Sequence, residues 1–221
     1  MLTFKNFKYE RTIAMKYLFY LLALISVFVL TVNTSFAVTL LTKEQALKEM
    51  FPDVDAVVTK TMVLTAIDLE SVKKRLGGSL VHYQEGSKSG AVAEATTYEF
   101  YLGMKNGQVV RMAVIEEQPG KWGPVQFIIA IDTKTGKVNN LAVTSYVEKR
   151  GRPIARRNFL NQFVGKSSAN PISVRGENGV ARDIRAISGA TISSDCTCFA
   201  VKKVIALYEE VYVKTILTIA N

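Results

Sequence analysis

The sequence predicts an α+β fold: an antiparallel sheet covered by helices, with a small N-terminal helical and strand appendage. Two patterns lead there. From Ser79 to Tyr146 the apolar residues recur with period two, in segments separated by short turns. Strands joined that closely pair antiparallel, because a parallel partner needs a long crossover. From Ser193 to Val213 the period changes to that of a helix, with Phe199, Val201, Val204, Ile205, Leu207 and Tyr208 as an apolar stripe to lie on the sheet. The chain has 221 residues, 48% of them apolar, which suits a folded domain with a real core and not a disordered chain.

The first 37 residues read as a leader. Lys16 precedes an apolar run from Tyr17 to Val32, and Ser35 and Ala37 are the small residues a signal peptidase takes before its cut. As a helix the run would reach ~24 Å, short of the ~30 Å hydrocarbon core of a bilayer. A cleaved signal peptide is the first reading and a retained membrane anchor the alternative. Met15 is an alternative start to Met1. Either way the mature chain is expected to be exported, to the periplasm or the outer face of the cytoplasmic membrane.

Thr42-Lys43-Glu44-Gln45 is a capping box that opens a short helix, which stops at Pro52-Asp53. The β-branched run Val54 to Thr65 predicts a strand. Asp68 to Leu76 predicts a second helix, closed by Gly77-Gly78. Residues 38–94 then form the appendage and 95–213 the main domain. Five strands are expected at 79–85, 94–103, 108–117, 124–132 and 137–146. Asn106-Gly107 tolerates the positive φ angles of a tight hairpin, and Asp132 to Gly136 is a second turn. Pro153 to Phe163 predicts a helix with Phe159, Leu160 and Phe163 inward. A polar loop over 165–180 and a short strand over Asp183–Ile187 follow.

Charge and cysteines exclude several functions. The net charge is +9, of which the leader supplies +3 and the mature chain +6. That favours an acidic partner or an anionic cofactor, and does not by itself suggest nucleic acid. Cys196 and Cys198 stand two apart on a helix, where a disulfide would be strained, and read as small buried residues. No ligand set accompanies the single histidine, His82, so no metal site is expected. His82 reads as a strand residue.

The chemistry-bearing stretch is Ser188-Gly189-Ala190-Thr191-Ile192-Ser193-Ser194, at the mouth of the long helix. The first amides of a helix lack partners and its dipole places positive potential there, so this is a good seat for a phosphate. Gly189 and Ala190 leave room for close approach, Ser188 and Ser193 or Ser194 can donate hydrogen bonds or cap the helix, and Thr191 offers a hydroxyl. On spacing alone, a plain tight turn followed by a helix cap is the first reading and a phosphate site the alternative.

The same residues resemble the loop of the FMN-binding domain family, which includes the covalently flavinylated subunits of the sodium-pumping NADH:quinone oxidoreductase and of the Rnf complex. Gly123-Pro124 before Val125–Asp132, Asp132 to Gly136, Glu148 after the next strand, and Asn161-Gln162-Phe163-Val164-Gly165-Lys166 resemble further family segments. The resemblance covers roughly residues 95–210. It implies FMN held as a phosphoester on Thr191, attached by a dedicated flavin transferase. One position departs from the pattern: Arg185 stands where the transferase motif usually carries an acidic residue, and Asp183 lies two residues before it.

The resemblance implies an FMN-carrying electron-transfer protein that works with a membrane redox partner. The sequence holds no nicotinamide fingerprint, substrate domain or catalytic acid–base set, so a relay is expected ahead of a stand-alone catalyst. The alternatives are an FMN-binding accessory or sensory module, and a flavin-free binding domain of the same fold. Trp122, in a glycine-rich turn, is a candidate to stack on or border the flavin ring, or else a turn anchor. Glu148 would position its loop against the flavin, or else lie on the surface. Lys149, Arg150, Arg152, Arg156 and Arg157 are a basic cluster suited to an anionic reduced flavin or an acidic partner, or else a solvated face.

Overall fold

The structure is a computed structural model that describes Met15, Lys16, Tyr20 and residues 37–148, 152–174 and 183–215. Most of the leader, including Ser35, lies outside the described residues, as do Lys149 and Arg150. Ala37–Asn221 forms one unit, distinct from Met1–Phe36. Among the described residues, no helix is long and apolar enough to cross a membrane.

The elements in chain order are β1 (Val38–Thr39), α1 (Lys43–Met50), β2 (Ala56–Val63), α2 (Ala66–Arg75), β3 (Thr97–Lys105), β4 (Gln108–Pro119), β5 (Pro124–Asp132), β6 (Val138–Tyr146), a 3-10 turn (Arg152–Ala155), α3 (Arg157–Leu160), α4 (Thr191–Leu207) and a π-helical segment (Tyr208–Tyr212). The six strands form one antiparallel sheet in the order β1-β6-β5-β4-β3-β2. The fold is the α+β architecture expected. The β3–β6 meander is its centre, and the segment 38–94 supplies both edge strands.

Local chemistry accounts for most boundaries. The capping box of α1 is present: Thr42 Oγ1 accepts from the Gln45 amide at 3.3 Å, and Gln45 Oε1 accepts from the Thr42 amide at 2.9 Å. A second box, Thr65 with Asp68, starts α2 two residues ahead of the expected Asp68. The β3–β4 hairpin turns on Asn106 and Gly107, at φ 51° and 75°. In the β5–β6 turn, Asp132 Oδ1 accepts from the amides of Lys134 and Thr135.

The two faces of the sheet are covered differently. On one face α4, α2, the 3-10 turn and α3 close over Phe100, Met112, Val114, Phe127, Ile129, Ile131 and Leu141. On the other, α1 lays Ala46, Met50 and Phe51 on Tyr101, Ile128 and the small residues Ala113, Ala130 and Ala142. Those alanines let the helix approach closely.

Helix α4 departs from the simple stripe expected. Of its 17 residues, 13 are buried. Among the buried ones is Lys203, 2% exposed, whose Nζ lies 2.7 Å from Oε1 of Glu116, 3% exposed, on β4. Gln118 Nε2 donates to the same Glu116 oxygen at 2.7 Å and to the Leu80 carbonyl at 2.9 Å. Burial pushes the Glu116 carboxyl above the ordinary carboxylate range, and the ammonium of Lys203 opposes that shift. Cys196 and Cys198 are free and buried, as expected. At the far end of the helix, Arg75 of α2 pairs with Glu209 and Glu210, and Tyr208 donates to the Thr133 carbonyl at 2.9 Å.

Four expected elements are corrected. Residues 79–85 form no strand: Leu80 and Val81 are buried, but the Leu80 carbonyl and the His82 amide bond to the Gln118 side chain and the Val81 backbone to Ser79 Oγ, not to a neighbouring ladder. His82 is therefore no strand residue; its ring stacks on Phe199 of α4, centroids 5.1 Å apart. Asp183–Ile187 forms no strand, since its amides bond to Ser173 and to the Gln162 side chain. The helix expected over 153–163 is broken into the 3-10 turn, α3 and a further turn, while Phe159, Leu160 and Phe163 are buried as anticipated. The long helix begins at Thr191, not Ser193, and runs through the π segment into a further helical stretch over 213–215, the last described residues.

Breaking the buried pair from one side leaves a charge in the core. Glu116→Ala is expected to lower unfolding stability by about 3–5 kcal/mol. The double variant Glu116→Leu/Lys203→Met should recover most of that loss. Urea denaturation at neutral pH measures both.

Candidate functional site

Four stretches of backbone converge at the N-terminus of α4: the turn between β4 and β5, the loop 82–90, the segment after β6, and the approach 183–190. Glu148 joins three of the parts. Its carboxylate accepts from the amides of Lys121 and Trp122 and from the Ser193 side chain. It thus bridges the β4–β5 turn to the first turn of α4. Desolvation holds its carboxyl above the ordinary value, and these hydrogen bonds pull the other way.

The turn is built for this contact. A Cβ on Gly120 would collide with Glu148 Oε1, and one on Gly123 with Val147. The loop 82–90 packs beside it. Ser87 Oγ donates to the Gly120 carbonyl at 2.6 Å and the Lys88 amide to the Lys121 carbonyl at 2.7 Å. Gly86 lies against Ile192.

The approach to the helix is clamped from the other side. Gln162 accepts from the Arg185 amide at 2.8 Å and donates to the Arg185 carbonyl at 3.3 Å. Lys166 pairs with Asp183. Ser194 Oγ accepts from the Ile187 amide at 3.0 Å and donates to the Ala190 carbonyl at 2.9 Å. Between these ties the chain turns through Ser188 and Gly189, the latter at φ 70°, a conformation that favours glycine. Ala190 occupies the N-cap with no side-chain cap. The expectation that a serine caps the helix is thus corrected: Ser193 and Ser194 are buried and bond sideways and backwards.

Ser188, Gly189 and Thr191 are exposed, while Ala190 and Ile192 are half-buried. Helix geometry leaves the amides of residues 191–193 without intrahelical acceptors. A cleft of about 480 Å³ adjoins the loop, lined by Arg156, Phe159, Gln162, Arg185, Ala186 and Ile187 among others. Trp122 is half-buried in its turn, with the ammonium groups of Lys88 and Lys121 5.0 and 5.6 Å from its ring centroid.

Residues 120–206 match the family model of the FMN-binding domain. Over that segment the chain resembles the family. Over 109 residues the chain is 27% identical to a protein of the proton-translocating ferredoxin:NAD(+) oxidoreductase complex of Clostridium ljungdahlii, a match that covers 48% of this chain and 58% of the relative. The chain therefore spans a little over half the length of that relative.

The side chains present fit a flavin mononucleotide. An exposed hydroxyl, an open glycine turn and the free amides of a long helix suit its phosphate, and the adjoining cleft has two cationic walls. The N-terminus of α4 thus brings together Ser188, Gly189, Ala190, Thr191, Ile192, Ser193, Glu148 and the Trp122 turn. It does not gather the whole basic cluster. Arg157 donates to the Leu141 carbonyl at 3.0 Å and to Asn140 Oδ1 at 2.9 Å, and so serves β6. Sequence reasoning missed the loop 82–90 and the Arg185 side of the cleft. Gly86-Ser87, a turn signal at the end of an expected strand, was the available clue.

Two outcomes are expected here. Gly120→Ala should cost about 1–3 kcal/mol by overpacking, read by thermal unfolding. The raised Glu148 carboxyl favours the protonated form in the folded state, so its contribution is full below the ordinary value of 4.5 and is lost as pH rises through the folded value. Wild type should lose stability relative to Glu148→Gln as pH climbs from 4.5 toward neutrality. A pH-independent difference between the two melting curves would contradict this.

Proposed function

We propose that this chain is an exported electron-transfer flavoprotein, with FMN joined through its phosphate to the hydroxyl of Thr191. The observation that carries the reading is Thr191 itself, an exposed hydroxyl on the first residue of a buried helix within an FMN-binding domain. A phosphate esterified there receives hydrogen bonds from the amides of residues 191–193 and the positive end of the α4 dipole. Ser188 adds a donor, and Gly189 keeps the approach open.

Bound FMN supplies one- and two-electron exchange. Thr191 is exposed at the start of α4, so a group held there would stay open to a partner. Arg156 and Arg185 place positive charge along the adjoining cleft. Glu148 and Gln162 act through the backbone: each fixes a loop that frames the helix start. The similarity to a component of a ferredoxin:NAD(+) oxidoreductase complex supports a membrane-associated redox partner. A flavin transferase loads the cofactor, and the tether prevents its loss after export.

Expression in a host with a flavin transferase, followed by intact-mass measurement of the exported protein, tests the reading. Wild type should carry flavin that survives denaturation. Thr191→Ala should carry none while keeping the wild-type melting temperature. Covalent flavin on Thr191→Ala would move the attachment elsewhere, and unmodified, colourless wild type would overturn the reading.

A further inference from the structure

The two edges of the sheet are unlike. Strand β1 is two residues long and pairs only with β6. Strand β2 closes the other edge with eight residues, Ala56–Val63, none of them buried and none of them proline. The Leu64 amide bonds to the Thr96 carbonyl at 2.8 Å, in line with the register that pairs Val63 with Thr97. In an antiparallel ladder the bonding alternates from residue to residue. Ala56, Val58, Lys60 and Met62 therefore spend their backbone groups on β3, and those of Val57, Thr59, Thr61 and Val63 point away from the sheet. Among the described residues, no side chain or loop bonds to that outer row.

Apolar surface collects on the same edge. Val57 is 40% exposed, Val58 50% and Val63 74%, and Ile67 on the first turn of α2 is 75% exposed. These are four of the eight large exposed apolar side chains described in the unit Ala37–Asn221. An unpaired edge of this length and β-branched character is a template for another strand, and sheets commonly guard such edges with charge or proline. The guard here is Lys60 alone. It is half-buried, and strand alternation sets it on the same face as Met62, which packs on the main core.

Charge and length select the occupant. The mature chain carries +6, so two copies repel over most of their surface. Between Ala56 and Val63 the one charge is Lys60, and Asp55 stands just before the strand. The β2 edge is therefore a place where two copies can meet. Pairing β2 with β1 of a second copy would join only two residues and build an open chain of copies, whereas β2 on β2 closes as a two-fold dimer. Outer residues must face outer residues, which leaves few registers. An axis at Lys60 sets the two ammonium groups directly opposite, which is unfavourable. An axis at Val58 makes Thr61 face Asp55, outside the strand. An axis at Thr59 keeps the pairing within the strand: Thr59 faces its own copy, Val57 faces Thr61, and Lys60 faces Val58, over which its aliphatic stem can lie.

We propose that β2 is a homodimer seam. Two copies pair antiparallel through Val57, Thr59 and Thr61 about a two-fold axis at Thr59, so that the six-stranded sheet of one continues into that of the other. The seam is independent of the flavin loop and of the reading given for it.

Sedimentation velocity on the purified protein at rising concentration should show monomer passing reversibly to dimer. Thr59→Pro tests the outer row. Its amide points outward, so proline removes no bond to β3, and the melting temperature of the dilute protein should match wild type. The dimer loses two bonds, and association should weaken about tenfold. Thr59→Cys tests the register. Its Cα atoms would stand about 5.5 Å apart across the axis, within disulfide reach, so a mild oxidant should cross-link this variant. Val63→Cys, far from the axis and well exposed, should stay uncross-linked, and the native Cys196 and Cys198 are buried. A monomer at every concentration would overturn the proposal and leave the edge to a strand of another protein. Dimers untouched by Thr59→Pro, or equal cross-linking of the two cysteine variants, would overturn it as well.

Discussion

The ion pair between Lys203 and Glu116 fixes where everything else goes. A helix that is apolar on nearly every side could slide or rotate on an apolar sheet at little cost. One ammonium at 2% exposure and one carboxylate at 3% remove that freedom. Their charges leave water only if they meet, and they meet at one register of α4 on β4. Gln118 extends the constraint to the segment at Leu80, and His82 then stacks on Phe199. The pair thus sets the height at which Thr191 emerges at the far end of the helix.

Given that register, the cofactor loop is assembled by side chains that bond to backbone. Glu148 ties the β4–β5 turn to Ser193, Gln162 grips both polar groups of the Arg185 peptide, and Ser194 links Ile187 to Ala190. None of the three residues is exposed enough to be a plain surface group, and none needs to touch a ligand. Their effect is to hold an otherwise irregular segment against the helix start, beside the exposed Thr191 and the amides that helix geometry leaves unpaired. Preorganisation of this kind spares a binding site the entropy of ordering its own loops.

The sheet shows the same economy of position. Small alanines under α1 let one short helix lie close on one face, while the larger residues of the opposite face are shared among several elements. Beyond Phe100 and Val114, where the β3–β4 pairing stops, the buried pair borders a cavity of about 500 Å³.

Elements whose cause is local were legible in the residues alone. Period two marked the strands of the meander, Asn106-Gly107 and Asp132 marked its turns, and Thr42 with Gln45 marked the start of α1. The Ser188–Thr191 loop and its family were legible for the same reason: consecutive residues carry the signal. Features that depend on partners far apart in the chain emerged only on packing. Leu80 and Val81 alternate like a strand, yet the Leu80 carbonyl bonds to a side chain 38 residues away, and no ladder forms. Asp183–Ile187 is held by Gln162 and Ser173, so it too is no strand. Glu116 and Lys203 look like ordinary surface charges until the fold brings them to 2.7 Å across 87 residues. Periodicity reports which way a side chain points, but burial of a charge depends on whether an opposite charge is waiting, and only packing settles that.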